Sequence, residues 1–263
     1  MPASVRAIGL ASISLAALLI SAPPIDAQRG PQGRGGNPPG AGGRGAGADR
    51  AFDPSGYWVS IVSDEWRYRM LTPAKGNVDY VPVNAEGRRV AGLWDPNADE
   101  SSGQQCKAYA AGGIMRLPGR LHITWDDANT LRIDIDTGTQ TRLLHFNAAP
   151  PPTVEPSWQG YSLAEWQFVG RGAPPPGQSR PGQLKVVTTH LRAGYLRKNG
   201  VPYSGKAVLT EYFNLLADQG TEYLAVTTML EDPEYLVQPW VRTSQFRKQG
   251  DAKGWNPTPC SAK

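Results

Sequence analysis

Gln183-Leu-Lys-Val-Val-Thr-Thr-His-Leu191, Ala207-Val-Leu-Thr-Glu-Tyr-Phe-Asn-Leu-Leu216 and Glu222-Tyr-Leu-Ala-Val-Thr-Thr-Met-Leu230 decide the fold. All three runs are rich in β-branched and aromatic residues and bounded by Gly, Pro, Asn and Asp, the pattern of paired strands and hairpins. Alternation sends Leu184, Val186, Thr188 and His190 to one face and Lys185 to the other. With Ala217-Asp-Gln-Gly220 as the turn, Leu216 opposes Thr221 and Glu211 opposes Val226, on a face otherwise built from Leu209, Phe213, Leu224 and Leu230. Two ionisable groups, His190 and Glu211, are thus expected on the apolar side of the sheet.

Working outward, Leu121–Trp125, Leu131–Asp136 and Thr139–Phe146 form three more strands joined by short polar turns. If Trp125 opposes Thr130 and Asp136 opposes Thr139, then His122, Ile133 and Arg142 share an inner row with Leu131, Ile135 and Leu144, and His145 points out. In Tyr57–Met70, read as one long strand, the even-numbered set containing Trp58, Trp66 and Tyr68 carries the larger apolar bodies and is placed inside. Trp158–Phe168 is a strand with Trp158, Ser162, Trp166 and Phe168 inside. One short helix is expected over Pro82–Trp94, with Asn84 as its N-cap, Glu86 in its first turn and Val90, Leu93 and Trp94 on one face. The outcome is an all-β fold, an antiparallel meander barrel of about nine or ten strands with one short helix.

Composition divides the chain. Met1–Arg6 is a basic head, Ala7–Ile20 is apolar, and Ile25-Asp-Ala27 is a small-residue cleavage site, so residues 1–27 read as a secretory signal peptide. Residues 28–50 hold nine Gly and four Arg with nothing large to bury, and read as a disordered linker before a single barrel domain over 51–263. Of the chain's formal charge of +4, the linker supplies +3 (four Arg less Asp49) and the signal peptide none, leaving +1 on the barrel. A nucleic-acid partner, which needs Lys and Arg clustered on a folded face, is not indicated, nor is a membrane span. Cys106 and Cys260 are the only cysteines and, in an exported chain, favour one disulfide. The localisation implied is periplasmic or secreted.

No G-x-S-x-G, H-E-x-x-H, phosphate-cradling loop or dinucleotide fingerprint occurs. The three histidines fall on separate strands, so no metal and no cofactor is assigned. His190 with Glu211 is the candidate pair for proton chemistry, and Arg142 is a competing ion-pair partner for Glu211. Trp66, Tyr68, His122, Arg142, Trp158 and Trp166 are the candidate ligand-binding set, since a pocket of this kind is mostly apolar with a few placed polar groups.

Cys106-Lys-Ala-Tyr109, Met115-Arg-Leu-Pro118, Pro156-Ser-Trp-Gln-Gly-Tyr-Ser162, Val208-Leu-Thr-Glu-Tyr-Phe213, Glu231-Asp-Pro233, Gln238-Pro-Trp240 and Pro259-Cys260 resemble segments of a family of exported bacterial proteins of unassigned function. The likeness spans most of Tyr57–Cys260 and brings no activity with it. Gly56-x-Trp58 is also similar to the opening motif of lipocalins, which implies a calycin-like barrel by analogy.

Three functions fit these residues: binding of a small apolar or aromatic molecule in an interior pocket; a cofactor-independent lyase, hydratase or isomerase using His190 and Glu211; or a protein-interaction module. The export reading has a direct check. Intact-mass analysis of periplasmic material should place the first residue near Gln28, and retention of residues 1–27 would overturn it.

Overall fold

A computed structural model describes residues 50–149, 153–170, 172 and 179–263; the proposed signal peptide and nearly all of the linker lie outside the described residues. The described chain contains nine strands that close into a barrel. They are β1 (Gly56–Ile61), β2 (Arg120–Asp127), β3 (Thr130–Ile135), β4 (Gln140–Phe146) and β5 (Tyr161–Phe168), followed by β6 (Gly182–Thr189), β7 (Val208–Asp218), β8 (Thr221–Glu231) and β9 (Trp240–Gln249). Each strand pairs with its neighbour in sequence, and β9 returns to pair with β1. The pairing is antiparallel everywhere except between β4 and β5. A ring with an odd number of strands cannot alternate direction at every seam, so a meander of nine must contain a parallel pair.

Turn chemistry accounts for which expected registers hold. Gln219 and Gly220 both have positive φ, at 47° and 78°, and form a two-residue hairpin turn in which Asp218 opposes Thr221. The expected four-residue turn is therefore too long by two. Because side chains alternate with period two, that slip moves Glu211 from Val226 to Thr228 without changing its face. Leu209, Glu211, Phe213, Leu224 and Leu230 are all buried as expected.

Between β2 and β3 the error is of one residue, and its effect is the opposite. A bulge between Trp125 and Asp127 pairs Trp125 with Leu131 and His122 with Asp134. Leu121 and Ile123 occupy the interior, and His122 lies on the outer wall. The β3–β4 register places Arg142 beside Ile133 as expected.

The aromatic run after Tyr57 is not one strand. It keeps strand geometry only to Ile61, with Trp58 fully buried and its Nε1 donating to the Pro54 carbonyl at 2.9 Å. Glu65 then adopts left-handed backbone, φ 47°, and opens the short helix α1 (Trp66–Arg69). Helix content is also greater than expected: α1 is joined by α2 (Ala85–Leu93), α3 (Pro96–Ser101) and α4 (Ala111–Ile114). Asn84 caps α2 by accepting from the Gly87 N–H at 2.8 Å, as its position predicts. The buried face of α2, however, is Gly87 and Ala91, while Leu93 is exposed. A Cβ on Gly87 would come within 2.7 Å of the Tyr235 carbonyl, so glycine lets this helix sit on the 235 loop.

Two hydrophobic cores result. One fills the barrel with Trp58, Ile123, Ile133, Leu144, Leu184, Phe213, Leu224 and Phe246. The second lies under a cap made by residues 78–111 and 191–207 and includes Val83, Ala111, Leu196, Tyr203 and Trp240, together with Leu209 and Leu230 of β7 and β8. α4 is wholly buried between them, and any side chain at Gly112 would meet Tyr203 at 2.8 Å and Leu230 at 2.9 Å. Cys106 and Cys260 are disulfide-bonded, and the terminal strand Thr258–Pro259 pairs with Thr137–Gly138. The bridge joins positions 154 apart, a loop whose closure in the unfolded chain is worth at most about 5 kcal/mol. Urea unfolding of a Cys106→Ser, Cys260→Ser variant should show a loss of about 2–5 kcal/mol relative to the oxidised protein.

Candidate functional site

The interior polar group is built by four consecutive strands. Arg142 on β4, Ser162 on β5, Thr188 on β6 and Glu211 on β7 all point inward and are buried. Arg142 grips Glu211 with both arms of its guanidinium, Nη1 donating to Oε1 at 3.0 Å and Nη2 to Oε2 at 2.5 Å. Nη2 also reaches Thr188 Oγ1 at 3.4 Å, and Thr188 Oγ1 lies 2.8 Å from Ser162 Oγ. Neither charged side chain has solvent exposure, 0% for each. Glu211 lines none of five open clefts on the described surface. A bidentate pair in a dry interior holds its partners in one geometry and gives a reacting molecule no approach.

The other expected site residues do not join it. His190 follows the end of β6 in left-handed backbone, φ 55°, and is exposed, with Nδ1 2.9 Å from Thr189 Oγ1. Since the strand ends one residue before it, period two no longer fixes its direction, and it forms no pair with Glu211. His122 stacks on Tyr57 on the outer wall, ring centroids 4.1 Å apart. Trp66 is 52% exposed on α1, and Tyr68 is in the same helix rather than on a strand. Trp158 precedes β5, packs against the cap core and lies under the Arg192 guanidinium at 4.0 Å. Trp166 is on β5 but packs with Phe52 and Phe146, next to Trp125. The aromatic set is thus dispersed over cap, wall and barrel core instead of lining one cavity.

What the structure does bring together is a group of arginines. Glu65, placed by its left-handed turn, accepts from Arg116 Nη2 and, at 3.2 Å to each oxygen, from Arg242 Nε, while Arg197 Nη2 stands 4.0 Å away. Arg69 donates to Asp64 at 2.8 Å and to the Arg116 carbonyl at 2.9 Å. Arg197 is only 2% exposed and lies over the Tyr68 ring at 4.2 Å, yet none of its three guanidinium nitrogens makes a hydrogen bond among the described residues. Burial, reinforced by the neighbouring Arg116 and Arg242 charges and only partly opposed by Glu65, pulls its pKa down to about 10. Burial lowers that of Arg116 as well.

No spacing rule links positions 65, 116, 197 and 242, so topology alone reveals this group. The one local signal is an arginine inside an apolar run, as in Gly113-Ile-Met-Arg-Leu117. A second buried cluster gathers around Asp99. Asp99 on α3 accepts from Lys107 Nζ at 2.6 Å and Tyr195 Oη at 2.8 Å, and burial together with that carboxylate raises the Tyr195 pKa.

No family model, curated protein or solved structure matches the chain. Among the described residues no group of three or more His, Cys, Asp or Glu is placed to hold a metal ion, and no helix is long and apolar enough to cross a membrane.

The interior pair generates a stability prediction. Glu211→Gln keeps the shape but leaves Arg142 as an uncompensated buried charge, so denaturant unfolding should show a loss of about 3–5 kcal/mol. The double variant Arg142→Met, Glu211→Leu should recover most of it, because both charges leave together.

Proposed function

We propose that this protein is exported and acts as a small-molecule binding protein, with the barrel as a rigid scaffold and recognition at the capped end. In this reading residues 1–27 are removed on export, residues 28–50 tether the domain, and residues 51–263 form the binding unit. The observation that carries it is the contrast between the two polar groups. The interior one is charge-paired and sealed, Arg142 and Glu211 being bonded to each other through both guanidinium arms at 0% exposure, with Arg142 Nε its one guanidinium nitrogen without a partner among the described residues. The one at the cap holds a buried arginine with three unmet donors, beside an open cleft of about 450 Å³ formed by Tyr80, Trp240, Arg242 and their neighbours. Export is supported by the Cys106–Cys260 disulfide, which suits an oxidising compartment. The acid–base alternative loses its geometry with His190 in solvent, and an apolar interior site loses its space to the side chains of the barrel core.

Thermal unfolding against a panel of neutral aromatic and small anionic compounds tests the proposal, since a ligand that binds only the native state raises the midpoint. At least one class should raise it saturably, and the Arg142→Met, Glu211→Leu variant should respond to the same compound. Loss of the response in that variant while it remains folded would put the site back on the barrel axis. No response to any compound would overturn the binding reading.

A further inference from the structure

We propose that the arginine cluster beside the Tyr80–Arg242 cleft binds a doubly charged oxyanion of the phosphate or phosphate-monoester class, an inference that rests on the binding-protein reading and gives its ligand a chemistry. The first observation is charge. Among the described residues Arg69, Arg116, Arg197 and Arg242 form ion pairs only with Asp64 and Glu65, so the group there carries two more positive charges than negative ones. Asp64 is itself half exposed, with 50% of its side chain in solvent, and compensates Arg69 only weakly. The second is unmet hydrogen bonding. Arg197 Nε, Nη1 and Nη2, Arg116 Nη1 and Arg69 Nη2 are all buried and without a partner among the described residues. Buried guanidinium groups ordinarily have their donors satisfied, because losing hydration without replacement is costly.

Ring contacts sharpen the geometry. Tyr68 covers the face of Arg197, and Trp240 lies 5.1 Å from the Arg116 guanidinium carbon and 5.3 Å from that of Arg242. A guanidinium held over an aromatic ring by cation–π attraction keeps its N–H groups available to fork onto an oxyanion. Access is next to these rings. Arg242 and Trp240 line the cleft that Tyr80 borders, and Tyr80 is 72% exposed in left-handed backbone, φ 61°. A tetrahedral dianion has both the charge that the cluster lacks and enough acceptor oxygens for its free donors. Its arrival would also offset the mutual repulsion of Arg116, Arg197 and Arg242.

The test is isothermal titration and thermal unfolding of the mature protein with inorganic phosphate and with phenyl phosphate, against chloride and acetate at matched ionic strength. Phosphate and its monoester should bind saturably and raise the midpoint, while chloride and acetate should not. Arg197→Met should abolish the response, with an unliganded midpoint no lower than wild type, since it removes a buried charge that has no hydrogen-bond partner. Arg242→Gln, at the cleft wall, provides a second variant and should weaken phosphate binding about tenfold or more. Phosphate binding unchanged in both variants, or no phosphate effect beyond that of chloride, would overturn the proposal. A neutral aromatic compound that binds while phosphate does not would overturn it and leave the binding-protein reading standing. No binding by either class would overturn both.

Discussion

A closed ring of nine strands cannot alternate direction at every seam, and much of this protein's architecture follows from where the exception falls. Parallel neighbours cannot be joined by a tight hairpin, so β4 and β5 are linked by the long connection 147–160. The end of that connection supports the cap. The Trp158 carbonyl accepts from the N–H of Ala111 at the start of α4, and Gln159 Nε2 donates to the Tyr109 carbonyl. The helix that plugs the barrel is thus held by the same segment that resolves the strand-direction conflict. The plug in turn is continuous with Arg116, so the seam, the cap and the arginine group form one chain of contacts.

The interior ion pair spans this weak point. Only three residue pairs define the β4–β5 register, Leu144–Ser162, His145–Leu163 and Phe146–Ala164. Arg142 reaches from β4 past β5 and β6 to Glu211 on β7, with Thr188 and Ser162 filling the interval. A pair of this kind contributes little net stability against an apolar replacement, yet it penalises any arrangement in which one partner lacks the other. It therefore acts on register: sliding β4 against its neighbours by one residue would turn Arg142 to the outer face and leave Glu211 buried without its partner.

How much of this was legible in the sequence depended on parity. Alternation puts Glu211 and Arg142 on the inner face where the structure has them, and for Glu211 this holds despite a turn shorter by two residues, because an even slip preserves the face. His122 was misplaced because a bulge shifts by one, and bulges leave no signal in an alternating pattern. His190 lay one residue beyond the strand, where alternation stops applying. Alternation predicts a strand through Trp66 and Tyr68 because α1 is a single turn, too short for helical periodicity to show. The arginine group was invisible because its members, far apart in the chain, meet only after the barrel closes.

That closure joins the two ends of the folded domain, since β1 pairs with β9 through partners such as Tyr57 and Gln249. Until the last strand is available, β1 lacks one neighbour and β8 presents an open edge, both templates for pairing with other chains. The disulfide adds to this dependence, because Cys260 lies beyond β9 and its partner Cys106 is 154 positions earlier. Folding is accordingly governed by contacts of long sequence separation and is slow compared with a helical domain of similar stability. The barrel therefore has no means of closing early, and its assembly waits until β9 and Cys260 are available.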